Sequence, residues 1–121
     1  MSERGIRRTI AVAAVAWMVV IFALSSRPGS AVPGRFGSLG HFVLYSILGA
    51  LYLLALPRLQ PWWRAALLAV LLASAYGVTD EFHQSFVPDR TPDVVDWLVD
   101  TVAAATAALA VSAWLRRTPK A

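Results

Sequence analysis

Apolar positions along the 121-residue chain gather into four long blocks and show no alternation of period two. The blocks are Thr9 to Leu24 (16 residues), Phe36 to Leu56 (21), Trp62 to Thr79 (18) and Val94 to Leu115 (22). The first extends back to Ile6 if Arg7 and Arg8 snorkel toward water. A bilayer core about 30 Å thick takes roughly 20 helical residues. Only helices or closed barrels satisfy their backbone polar groups there, and these blocks are too long for barrel strands. The pattern predicts an all-α integral membrane bundle of four transmembrane helices, about 6–25, 36–56, 62–80 and 93–115, in a single domain spanning 1–121. The intervening segments carry turn chemistry. Ser25 to Arg35 is rich in Pro, Gly and Ser, Pro57 and Pro61 bracket a tight link, and Asp80 to Asp93 is a polar stretch containing Pro88 and Pro92.

Composition strengthens this picture. Residues of the AVILMFWYC set make up 58% of the chain and charged residues only 15%, with a mean hydropathy of +0.60. So little polar surface cannot cover a small soluble globule, which disfavours a soluble enzyme. A disordered chain is excluded as well. The absence of cysteine removes disulfide scaffolds, thiolate metal sites and cysteine nucleophiles.

The net charge of +4 suggests nucleic acid until the charges are placed. Arg4, Arg7, Arg8, Arg58, Arg64, Arg116, Arg117 and Lys120 fall on the side of the N-terminus, with Glu3 the only acid there. Arg27, Arg35 and Arg90 fall on the other side with Asp80, Glu81, Asp89, Asp93, Asp96 and Asp100. Such an asymmetry predicts N-in and C-in topology in the inner (cytoplasmic) membrane. The arginines are spread over three short segments, so no nucleic-acid partner is expected. The lipid bilayer is the expected surrounding. Arg7-Arg8, the first apolar run and Ser30-Ala31 also fit a signal peptide; the long uninterrupted run and Trp17-Met18 favour a retained span.

Ionisable residues within or beside spans are costly and mark functional candidates. They converge on the acidic side. His41 and Tyr45 are spaced i, i+4 on the second helix, with Leu48 and Tyr52 continuing the face. Tyr76, Asp80 and His83 are i, i+4, i+7, with Glu81 and Gln84 an adjacent pair. Asp93, Asp96 and Asp100 are i, i+3, i+7, and their stripe continues through Ala103 and Ala107, small residues that admit a neighbouring helix. Thr91 as cap, Pro92 at the first helical position and Asp93 in the first turn make an ordinary helix start. Asp96 also suits the positive end of the helix dipole. Asp100 lies about 10 Å deeper than Asp93, beyond the reach of capping. It is either protonated or paired, with Arg90 and His41 the nearest candidates. Arg90, between two prolines, reads as a loop ion pair or as a guanidinium for phosphate or carboxylate.

His41, Asp80, Glu81, His83, Asp96 and Asp100 offer enough N and O ligands for a metal, although no recognised zinc spacing occurs. Whether a cofactor is used is not legible. Ser85 lacks the setting of a serine nucleophile, and no phosphate-binding glycine loop is present.

Three stretches in order resemble the VanZ-like membrane proteins, a family named for a teicoplanin-resistance factor. They are the run from Trp17-Met18 to Ser25-Ser26, Gly40-His41-Phe42 through Tyr45 to Leu48-Gly49, and Asp80-Glu81-Phe82-His83-Gln84 through Pro88 and Arg90 to Asp93 and Asp96. The resemblance covers essentially the whole chain. Family members often carry a lysine three residues before the histidine, where Ser38 stands here. They often show Asp, Asn and Gly where this chain has Asp96, Asp100 and Ala103. The resemblance implies a four-helix inner-membrane protein linked to glycopeptide (teicoplanin) tolerance.

The residues leave three functions open. One is an enzyme acting on an envelope lipid or lipid-linked precursor, with His41 or Glu81 as general base, Asp80 and Asp96 holding a metal or orienting the base, and Arg90 binding phosphate. Another is a noncatalytic protein that binds a glycopeptide or headgroup, or modulates a cell-envelope partner, through a hydrogen-bonded polar set. The third is a small transporter using Asp100, for which no internal repeat speaks.

Overall fold

The computed structural model describes residues 1–28 and 34–118, without the side chains of residues 34–36. Ser30-Ala31, the Arg35 side chain and Lys120 lie outside the described residues. Four helices follow one another: α1 (Glu3–Ser25), α2 (Gly34–Ala55), α3 (Trp63–Gln84) and α4 (Val94–Arg117). All four are long and apolar enough to cross a membrane. They form an all-α bundle with α2 at its centre, touching each of the other three, while α3 also packs along α4.

Two boundaries differ from the sequence pattern, for local reasons. Helix α1 begins at Glu3 because the Ser2 hydroxyl accepts from the Gly5 amide and caps it. Helix α3 continues through Asp80 and Glu81 to Gln84. Both acids are buried against neighbouring helices, so the polar run there is not a solvated loop. At the start of α4 the cap is Asp93 and not Thr91. The Asp93 carboxylate accepts from the Val95 amide at 2.9 Å, leaving Pro92 just outside the helix.

Small residues set the helix contacts. Ala103, Ala104 and Ala108 of α4 and Ala69 and Ala73 of α3 are wholly buried. The small stripe therefore runs from Asp100 through 103, 104 and 108, while Ala107 is half-buried. At the α2–α4 crossing, a Cβ on Gly49 would lie 2.7 Å from the Ala104 Cα. Only glycine permits that approach. Lipid supplies no hydrophobic drive for helices to associate, so close packing and interhelical hydrogen bonds must do so. Three aromatic side chains provide such bonds to backbone carbonyls of another helix: Trp17 Nε1 to Leu44 O at 2.9 Å, Tyr76 Oη to Met18 O at 2.6 Å, and Trp97 Nε1 to Ser74 O at 3.1 Å. The outer surface is apolar instead. Phe86 is 73% exposed and Val12 70%, an arrangement stable when the surrounding solvent is lipid.

The chain ends of the bundle differ. At the end bearing Glu3 and Thr118, an apolar cleft of about 860 Å³ is rimmed by Arg7, Arg58 and Arg116. Arg116 lies over the Trp62 ring at 4.0 Å. This cleft holds no buried carboxylate or histidine. Those groups collect at the opposite, acidic end.

Candidate functional site

The acidic end is built from the first turns of α2, the last turns of α3 and the first turns of α4. Its deepest member is Asp100, fully buried. Asp100 Oδ1 lies 2.6 Å from His41 Nδ1, so the pairing partner is His41 and not Arg90. The contact joins α4 to α2. It is possible because Gly77 on α3 leaves room: a Cβ there would stand 3.2 Å from Asp100 Oδ2. Burying an unpaired carboxylate costs several kcal/mol, and this geometry gives one of its oxygens a partner. Nδ1 is held by the carboxylate, which fixes the ring, and the Nε2 atom has no partner among the described residues.

The other acids of α3 also reach across helices. Asp80 Oδ2 accepts from the Tyr45 hydroxyl at 2.9 Å, with both residues buried. Glu81 Oε2 accepts from the Asp93 amide at 2.9 Å, tying the end of α3 to the entry of α4. One ligand atom from each of His41, Glu81 and Asp100 lies within 4.8 Å of the others. Three buried polar atoms in this region have no hydrogen-bond partner among the described residues: Glu81 Oε1, Gln84 Nε2 and Asp100 Oδ2.

A pocket of about 200 Å³ opens beside this cluster, lined by Gly37, His41, Gln84, Arg90, Asp96 and residues of the 89–91 turn. Arg90 is half-buried and has no carboxylate within 4.0 Å among the described residues. The preceding Asp89 adopts φ 59°, a left-handed conformation that Asp tolerates better than most residues. That turn carries the chain back toward α4.

Of the eight residues singled out in sequence, the structure gathers seven around one end. His41, Glu81 and Asp100 form the buried centre. Gln84, Arg90 and Asp96 line the pocket, and Asp80 sits one helical turn from Gln84. His83 stands apart, on the side of α1. Its Nε2 lies 2.9 Å from Ser26 Oγ, and its ring stacks on Phe22 with centroids 4.1 Å apart. It joins α3 to α1. Tyr45 belongs with the buried set although it was read only as part of a helix face; its i+4 spacing from His41 was the available signal.

A protein-family model described as VanZ/LLP1 matches residues 8–116. No curated protein and no solved structure matches the chain. The matched region takes in all four helices, from the second turn of α1 to the last turn of α4, and every residue of the site. The chain belongs to the VanZ/LLP1 family and is a four-helix membrane protein of that family.

Proposed function

We propose that the acidic end faces outward from the cytoplasmic membrane and binds the anionic headgroup of an envelope lipid or lipid-linked precursor. Through that binding the chain contributes to glycopeptide tolerance of the teicoplanin kind. One observation carries the reading: an Arg90 guanidinium without a carboxylate partner among the described residues lines a pocket beside the buried His41–Asp100 pair. A planar guanidinium suits bidentate recognition of phosphate or carboxylate. An imidazole oriented by a carboxylate through Nδ1 keeps Nε2 for proton transfer. In this reading Arg90 holds the headgroup, His41 exchanges a proton with it, and Asp100 orients His41.

A second, noncatalytic reading has its own support. Asp80 and Glu81 both spend an oxygen on interhelical bonds, as members of a network that sets helix positions. Under that reading the site captures a headgroup or glycopeptide without chemistry.

Glycopeptide susceptibility of cells carrying Arg90→Gln, His41→Gln or Asp96→Asn, with membrane abundance measured in parallel, tests the proposal. Loss of tolerance at normal abundance for Arg90→Gln and His41→Gln is expected. Full tolerance in both would overturn it. Profiling envelope lipids and precursors in a deletion strain separates the two readings. An altered profile favours chemistry, and an unchanged profile favours binding alone.

A further inference from the structure

We infer that His41, Glu81 and Asp100 together hold one divalent first-row cation, with zinc the best fit. The reason begins with charge. Asp80, Glu81 and Asp100 are all buried at this end, and among the described residues His41 is the only buried group there able to carry positive charge. Ionised together, three carboxylates would outnumber the one imidazole, so the buried set must take up protons or a cation. Arg90 lies at the pocket wall with no carboxylate within 4.0 Å among the described residues. A buried charge without compensation is strongly destabilising. Asp80 has the Tyr45 hydroxyl, a neutral donor that satisfies one oxygen but supplies no charge.

The second reason is stereochemical and independent of the first. Glu81 Oε1 and Asp100 Oδ2 are buried without partners, although each residue's other oxygen is bonded. Among the described residues they are the two orphaned acceptors of this region, beside one orphaned donor, Gln84 Nε2. Both belong to the set whose ligand atoms lie within 4.8 Å of one another. Zinc takes N and O ligands at about 2.0–2.2 Å, which sets them roughly 3.3 Å apart in a tetrahedron. The ligand atoms, within 4.8 Å of one another, would draw together to reach that spacing. Imidazole and carboxylate ligate in their deprotonated forms, so binding a cation releases protons from the set. One imidazole with two carboxylates is a ligand set for zinc or its first-row neighbours and not for a soft ion. A fourth position would open toward the pocket, in reach of a phosphate held by Arg90. Only that last clause rests on the proposed function, and with the cation bound His41 serves as a ligand in place of the proton exchange assigned to it there.

The test uses the full chain in detergent micelles, stripped with a chelator and titrated with Co(II) as spectroscopic probe. Expected are visible ligand-field bands saturating at one Co(II) per chain, displacement by Zn(II), and a higher melting temperature with metal than without. Glu81→Gln is expected to weaken Co(II) binding about tenfold or more, whereas His83→Ala binds as the parent does. Absence of a saturable Co(II) spectrum in the parent chain overturns the inference. So does unchanged affinity in Glu81→Gln; if that variant does not fold, His41→Gln replaces it under the same criterion. The readout is metal alone, so the cation site and the headgroup reading can fail separately.

Discussion

At the residue scale, Asp100 decides how the acidic end is built. Its depth along the last helix was legible from spacing, since seven residues past a helix start no side chain serves as a cap. Its partner was legible only as a choice between Arg90 and His41, and the fold selects His41, 59 positions away. Asp100→Asn keeps an acceptor for His41 and is expected to fold. Asp100→Ala leaves the buried imidazole without its partner and should cost about 1–3 kcal/mol. Thermal melting of the two purified variants checks the difference; equal melting would show that the pair does not hold the helices together. Glycine 49 gives a sharper contrast. A Cβ there meets Ala104 backbone at 2.7 Å, whereas one on Gly40 meets nothing within 4 Å. Gly49→Ala is therefore expected to destabilise by about 1–3 kcal/mol. Gly40→Ala should be neutral or gain up to about 1 kcal/mol from helix propensity. Melting curves of both, measured together, check this.

At the element scale, the helices were legible because a membrane span needs a fixed length of apolar chain. Their polar ends were not. A run such as Asp80-Glu81 beside a proline-rich stretch reads as a loop when its partners are unknown. In the bundle the Tyr45 hydroxyl and the Asp93 amide each engage one oxygen of these acids, and α3 continues through them. The start of α4 shows the same limit. Thr91 and Asp93 both have capping side chains, and the choice fell to Asp93, whose backbone N–H is already engaged by Glu81. Asp93→Ala is expected to cost about 1 kcal/mol by removing the cap. It should speed hydrogen exchange at the Val95 amide, while the Asp93 amide, still bonded to Glu81, stays protected. Faster exchange at both amides would mean that the Glu81 contact depends on the cap.

At the scale of the whole molecule, the charges divide between two ends that the fold keeps apart. Basic residues rim an apolar cleft at one end, and the buried acids and His41 meet at the other. The positive-inside rule predicts that the basic end lies in the cytoplasm. A fluorescent reporter fused after residue 121 should then mature, and a phosphatase fused there should stay inactive. The reverse pattern would invert the proposed orientation. By itself the sequence determined the solvent, the number of helices, the family resemblance and the end at which polar groups collect. Each of these follows from local composition: apolar length, charge placement and short motifs. Only the tertiary structure decided which groups within that end meet. Pairing of His41 with Asp100, of Asp80 with Tyr45 and of His83 with Ser26 depends on how helices distant in sequence cross. Those crossings are set by small residues such as Gly49, Gly77 and Ala104, which carry no chemical signature of their own and act through the space they leave.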